Sequence, residues 1–587
     1  MLCGSGERAV EGPAVRRNND KCACPVLSLL LGKGGWPTIA FGWQLWERET
    51  YGRHPERGRA EQSSTEPNNL LLPFYPLSTT HDPPKLVYPT HMPAEHFDVI
   101  IIGAGLSGIG AAYRLLTQCP SKRYIILEAR GAIGGTWDLF RYPGIRSDSD
   151  MYTLGYPFRP WKSPNAIADG ASILQYICDT AREFDIDRHI RFQHRVVSAS
   201  WSSGDSLWHL DVQSGENSEP AHFTSHFLYG CTGYYRYDSG YQPDYPGLSN
   251  FRGRFVHPQH WPEDLDYTGK RVVIIGSGAT AVTIVPAVAG TTAHVTMLQR
   301  SPSYVLSLPA NDPIANVLRR LLPHRVAHSI VRSKNILLSL GVFQLSRRSP
   351  NLTKRVFRSA AQRHLPKNYE IDRHFKPRYE PWDQRLCIAP DADIYRAIAS
   401  GRASVVTDEI DTFTQSGIQL QSGKHLEADI VVSATGLQML ALGGVQLAVD
   451  GVPVDQPHSF VYKGTMLSNV PNFAFCVGYT NASWGLRADL ASTFVCRLLN
   501  HMDRHGYRTC IPTCDTSSLD SKPLLDLTSG YIQRAAPNLP KQSSTKPWYI
   551  PQNYLIDVVL MKMRRIDDGI LQFDIRPPHR DFQMVSS

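Results

Sequence analysis

"FDVIIIGAGLSGIGAAYRLL", residues 97 to 116, decides how this chain is read. The run FDVIII is almost continuously apolar and of strand length, as a parallel strand covered on both faces requires. It stops at Gly103-Ala-Gly105-Leu-Ser-Gly108, and "IGAAYRLL" beyond has helical spacing with small residues. Glycines at such a strand-to-helix turn let a pyrophosphate approach the helix N-terminus, because no Cβ stands in the way. A second strand, "YIILEAR" (124–130), ends near Glu128, about 20 residues after the last glycine, where a carboxylate accepts hydrogen bonds from ribose hydroxyls. That carboxylate repels a 2′-phosphate, so the turn is expected to hold FAD.

Working outward, the pattern returns at "KRVVIIGSGATAVTIVPAV" (270–288). Strand 271–275 leads into Gly276-Ser277-Gly278-Ala279-Thr280-Ala281, with alanine in the third glycine position. The strand after it, in "HVTMLQRSP" (294–302), ends on Gln299 and Arg300 rather than on an acid. A guanidinium there can grip a 2′-phosphate with two hydrogen bonds, which favours NADPH over NADH. Taken alone, a strand-end arginine is as often a solvated charge. Two nucleotide turns of opposite ribose preference imply a flavoprotein reduced by NADPH across a domain interface. "FLYGCTGYY" (227–235) and "ADIVVSATGL" (428–437) read as apolar strands ending in Thr-Gly, where the chain passes between the two domains.

The fold class is therefore α/β, with two dinucleotide-binding, Rossmann-like three-layer domains. A discontinuous FAD-binding domain is expected over 94–235 and 430–550, and an NADPH-binding domain over 236–429. Between about 305 and 380, "NVLRRLLPHRVAHSIVRSKNILLSLGVFQLSRR" has helical apolar spacing and many basic residues, predicting a helical insertion. Its basic amphipathic face is read as a solvated surface in preference to a lipid contact. Residues 1–93 mix Gly, Pro, Arg, Glu and Asn without a period and are expected to be disordered. Alternatively the working chain begins at Met92.

At 587 residues the chain exceeds one hydrophobic core. Its net charge of +8 is spread along the sequence, so a nucleic-acid partner is not indicated. The 11 cysteines lack CxxC pairs, which argues against a zinc site or disulfide framework and fits a reducing, cytoplasmic setting. The longest early apolar run, "PVLSLLLG" (25–32), is far short of the roughly 20 residues that span a bilayer, so no transmembrane segment is expected.

Two further stretches carry a family resemblance. Phe251, Gly253, His257, Trp261 and Pro262 in "FRGRFVHPQHWPE" (251–263) match the pattern FxGxxxHxxxWP, and "GGTWDLFRYPGIRSD" (134–148) resembles GGTWxxxxYPGxxxD. Together they resemble the class B flavoprotein, or Baeyer-Villiger, monooxygenases over roughly residues 95–565. "RSDSDMYTLGY" (146–156), "HPQHWPEDLDY" (257–267) and "PWDQRLC" (381–387) are similar to stretches of the mycobacterial ethionamide-activating branch.

The resemblance implies an enzyme that uses FAD, NADPH and O₂ to insert one oxygen atom next to a ketone carbonyl, giving an ester or lactone. A specialised-metabolite ketone, a steroid or a polyketide would each be compatible. The alternative, chemically adjacent, is oxidation of sulfur or nitrogen in thioethers, thioamides or amines. A flavin-linked disulfide reductase ranks last, because it needs a redox CxxC beside the flavin. Arg385 matches the family's active-site arginine, a permanent cation suited to offsetting negative charge that develops during oxygen transfer. Asp148 matches the carboxylate that holds it. Thr136, Trp137 and the backbone around Asp148 and Ser149 match FAD-contacting positions, while Arg146, Ser147 and Asp148 also lie where the nicotinamide half passes. Segment 251–262 resembles an interdomain linker in which His257 and Trp261 pack at a moving interface and do no acid–base chemistry. His257 and His260 lack a third ligand, so no metal is expected. Gln384 stands where such families often carry lysine, leaving Arg300 more of the NADPH preference.

Overall fold

The computed structural model describes residues 94–575, and the readings made for 1–93 lie outside the described residues. The first predicted strand is Glu95–Ile102. Its side chains divide between two cores by the two-residue period of a strand: Val99 and Ile101 enter one, Ile100 and Ile102 the other. Covered on both faces, it pairs in parallel with Tyr124–Leu127 on one side and Glu219–Gly230 on the other. These strands are the centre of a nine-stranded sheet. The hairpin strands His194–Ser202 and Leu207–Ser214 extend it antiparallel, and Gln446–Val449 and Phe473–Phe475 join it from late in the chain. Helix Leu106–Gln118 packs beside Trp484–His505 over the first of the two cores.

The second sheet has five parallel strands, in the order Ala403–Thr407, His294–Gln299, Arg271–Ile275, Ile430–Ser433, Arg254–Val256. The same alternation recurs: Val272 and Ile274 face one core, Val273 and Ile275 another. Two expected boundaries shift. Ile430–Ser433 pairs with Arg271–Ile275, so it belongs to the second sheet and the chain returns to the first only afterwards. At the other end, Leu571–Asp574 pairs with Thr509–Pro512, which carries the first body past residue 550.

Segment 251–263, which shows no period of its own, supplies the edge strand Arg254–Val256. It is buried by docking: Val256, Pro258 and Gln259 are all inside. The insertion is helical as predicted, with Pro313–Leu321, His324–Arg348 and Pro350–Gln362. The long helix reaches the first body, where buried Arg332 donates to the carbonyls of Tyr152 (2.6 Å) and Gly155 (2.8 Å). Among the described residues no helix is long and apolar enough to cross a membrane.

Candidate active site between two nucleotide turns

Gly103 adopts φ +104°, and a Cβ there would lie 2.7 Å from the Cys231 carbonyl oxygen. A Cβ on Gly108 would come within 1.8 Å of the Gly103 carbonyl oxygen. Only glycine lets helix Leu106–Gln118 close onto the strand this tightly. No side chain caps that helix and its first turn holds no acid, so its leading N–H groups are free for an anion. Glu128 is buried and accepts from the N–H groups of Ala104 (2.6 Å) and Arg130 (2.9 Å), which ties the second strand to the glycine turn. Burial pushes its carboxyl above the usual carboxylate range, opposed by these two hydrogen bonds.

The second turn repeats the geometry. Gly276 has φ +135°, with Ala434 O 2.4 Å from a Cβ placed on it, whereas a Cβ on Gly278 would meet nothing within 4 Å. Helix Ala279–Val288 is likewise uncapped. Ser277 Oγ donates to the Ser301 carbonyl at 2.9 Å, joining the ends of the two strands. Arg300 is exposed beside them, with no ion pair among the described residues. Ala281 is fully buried and Gln299 is 2 % exposed, its amide donating to His374 O and Thr407 Oγ1. These two of the expected contacts face the core, and Gly108, Gly276, Ser277, Gly278 and Arg300 also lie outside the lining of the cleft described next.

One cleft collects residues from both turns. Gly103, Gly105, Glu128, Thr136, Trp137, Arg146, Ser147, Asp148 and Ser149 line it together with Ala279, Thr280 and Arg385. Stretch 134–148 makes this possible by bridging the two bodies. Gly135 at φ +56° backs onto Gly105, while Gly144 at φ +75° presses on the second helix, so that a Cβ there would lie 2.7 Å from Ala287 Cβ. The Tyr142 hydroxyl lies near the Thr280 side chain, and Arg146 pairs with Asp393 at 2.6 Å. Thr136 Oγ1 lies 3.2 Å from the Tyr237 hydroxyl. Ser147 turns inward, donating to Ser149 O (2.7 Å) and accepting from Ser149 N (2.9 Å), so it shapes the loop.

Arg385 donates to the Tyr479 carbonyl at 3.2 Å. That carbonyl is fixed from behind: the Tyr479 hydroxyl donates to Asp557 (2.6 Å), which pairs with fully buried Arg487 at 3.3 Å. Around the guanidinium stand the phenols of Tyr234, Tyr531 and Tyr235, with the carboxyl group of Asp148 close by. Tyr235 donates to Tyr234 at 3.1 Å. The expected Arg385–Asp148 ion pair is not formed: no contact within 4.0 Å joins them. Asp148 opens onto the cleft, yet the mass of protein behind it raises its carboxyl pKa, and Arg385 and then Arg146 pull it back. The tyrosines were not legible in the sequence. "YY" at 234–235 is a faint aromatic signal, and Tyr531 has none.

Segment 251–263 stands behind the cleft, away from its lining. Gln259 Nε2 donates to the carbonyls of Arg236 (3.0 Å) and Tyr237 (2.8 Å), and His257 Nδ1 accepts from Gln259 N (3.2 Å). A Cβ on Gly240 would lie 1.9 Å from His257 Cε1, inside the ring's own space. Burial lowers the His257 pKa, keeping the ring neutral. Gly240→Ala is expected to expel the imidazole and slow NADPH-driven flavin reduction by up to about 10² while bound flavin is kept. Stopped-flow absorbance checks this; an unchanged reduction rate refutes a coupling role for the contact.

The donor set fits both dinucleotides. Two uncapped helix N-termini meet one cleft, Gly103, Gly108 and Gly276 stand where a Cβ would collide, and Arg300, without an ion pair among the described residues, stands at the second turn. Residues 146–339 match the family described as flavin-binding monooxygenase-like, and 101–167 match an NAD(P)-binding Rossmann-like domain. The FAD-containing monooxygenase EthA of Mycobacterium tuberculosis is 52 % identical over 484 residues, covering 82 % of this chain and 99 % of that protein. The probable FAD-binding monooxygenase AlmA of Acinetobacter baylyi is 48 % identical over 482 residues, 82 % of this chain and 96 % of its own. A solved steroid monooxygenase bound to NADP superposes with TM-score 0.61 at 22 % identity, over 72 % of this chain and 88 % of that one, a likeness of fold. The chain belongs to the flavin-binding monooxygenases, in the group of FAD-containing monooxygenases that includes EthA.

Proposed function

We propose that the chain is an FAD- and NADPH-dependent monooxygenase that inserts one atom of O₂ beside a ketone carbonyl, consuming NADPH and a proton and releasing water with the ester or lactone. The observation that carries this reading is the placement of Arg385 and Asp148 in the one cleft lined by both nucleotide turns. Gly103, Gly105, Glu128, Thr136 and Trp137 hold FAD, and Gly276, Gly278, Thr280 and Arg300 hold NADPH. The bound flavin supplies electron transfer and oxygen activation. The chain's own work is to orient both nucleotides, exclude water and offset negative charge with the fixed guanidinium of Arg385.

A second reading, oxygenation of sulfur or nitrogen, is favoured by the phenols. Tyr531 stands beside Arg385 as a neutral phenol able to donate to an oxygen atom in transfer, and a protonated oxygen donor is electrophilic. The test is to purify the protein, record its flavin absorbance, and follow NADPH oxidation and O₂ uptake across a panel of ketones and thioethers under labelled O₂. A labelled ester supports the first reading; sulfoxide alone supports the second; protein that neither holds nor accepts FAD overturns both.

Arg300 is expected to set the choice of nucleotide. Arg300→Gln removes a charged hydrogen bond of about 2 kcal/mol, roughly a thirtyfold rise in KM for NADPH. KM for NADH stays unchanged in the same steady-state assay. An equal rise for both nucleotides would place Arg300 outside the 2′-phosphate site.

A further inference from the structure

The insertion carries a surface that oxygenation chemistry does not use. Between residues 313 and 367 there are 12 Lys and Arg and no Asp or Glu. Neighbouring acids neutralise four of the cations: Lys334 with Asp312, Arg347 with Asp383, Lys354 with Glu380 and Arg358 with Asp372. Arg332 and Arg319 are spent on backbone carbonyls. Arg320, Arg325, Arg348, Arg355, Arg363 and Lys367 are exposed and have no ion pair among the described residues.

The same helices hold ten of the eighteen exposed large apolar side chains among the described residues. On His324–Arg348, Val326, Ile330 and Leu337 fall at i, i+4 and i+11, one side of the helix, with Leu338 (61 % exposed) and Leu345 flanking them. Pro313–Leu321 repeats this with Ile314, Val317 and Leu321 (73 % exposed). The core does not need these residues. The long helix is already anchored through Ala327, Val331 and Ile336, the last packed on Tyr479 and Leu486. An exposed apolar stripe bordered by uncompensated cations is the pattern of a helix lying in a lipid headgroup layer.

We propose that the helical insertion docks this protein on an anionic lipid bilayer, lying in the interface without crossing it. Charge complementarity selects this occupant. A second copy meeting through the same face would oppose two sets of unpaired cations, whereas anionic headgroups neutralise them and the acyl boundary takes up the leucines. This revises the reading of the segment as a merely solvated face, because periodicity alone does not report that its apolar side chains stay outside the core.

The test is flotation of the full-length protein with phosphatidylcholine vesicles, with and without phosphatidylserine, at low and high salt. Expected is salt-sensitive binding to the phosphatidylserine vesicles only. Arg325→Gln with Arg348→Gln and Arg355→Gln should weaken it about a hundredfold, at about fivefold per cation. Leu337→Asp with Leu338→Asp should weaken it at least tenfold, with the unfolding midpoint by circular dichroism unchanged in both variants. Absence of vesicle binding, equal binding to neutral vesicles, or full binding by either variant overturns the proposal. Self-association that Leu337→Asp with Leu338→Asp abolishes, without vesicle binding, assigns the face to a second copy instead.

Discussion

Replacing Arg385 by alanine is expected to lower turnover by on the order of 10² or more, with FAD still bound and stability little changed. Among the described residues the guanidinium has one backbone hydrogen bond, to Tyr479 O, and no ion pair, so its removal breaks little structure. What is lost is a fixed charge whose position is prepaid by the buried Tyr479–Asp557–Arg487 chain. Arg385→Lys separates charge from geometry. An ammonium keeps the charge but lacks the planar fork that meets both the Tyr479 carbonyl and the cleft, so it should recover only part of the rate. Steady-state kcat with substrate and O₂ uptake measure the loss. If Arg385→Ala turns over at the unaltered rate, the cleft assigned here is not where oxygen transfer occurs. Asp148→Ala should cost less, because Asp148 influences Arg385 without touching it.

Gly108→Ala is expected to abolish flavin binding. The added carbon meets the Gly103 carbonyl oxygen at 1.8 Å, a backbone atom that no rotamer change can move. Helix Leu106–Gln118 must then retreat from the strand, drawing its free N–H groups away from the pyrophosphate they are placed to meet. Overpacking of this kind costs about 3 kcal/mol of stability, and the purified protein should be colourless. The absorbance ratio of flavin to protein and urea unfolding together check this. A yellow, fully stable Gly108→Ala protein would mean the turn does not carry FAD. Gly278→Ala is the contrast: nothing lies within 4 Å of its Cβ, so it should fold normally.

Much of the fold was legible because its determinants are local. A buried strand needs a short apolar run, and the turn needs glycines within six residues of it, so both nucleotide turns and the insertion's helices could be read directly. Arg300 belonged to the same local grammar, and it does stand at the strand end. Gln299 shared that position yet points the other way, because alternate residues of a strand face opposite sides. The return to the first sheet was misplaced for a related reason. Ile430–Ser433 is apolar throughout and suits either sheet, and only its pairing with Arg271–Ile275 assigns it.

The sequence by itself determined two strand–turn–helix units, the glycines that close them, the opposite charges of Glu128 and Arg300, and a basic helical insertion. Each of these is a short-range pattern with a period or a spacing. Tertiary structure alone decided that Tyr234, Tyr235 and Tyr531 surround Arg385, that Gly144 receives Ala287, and that Gly240 makes room for His257. It also left Asp148 near Arg385 without a bond to it, and the insertion's leucines facing outward. Such contacts join residues tens to hundreds of positions apart, and neither partner carries a periodic mark of the other, since packing is settled by how whole elements meet.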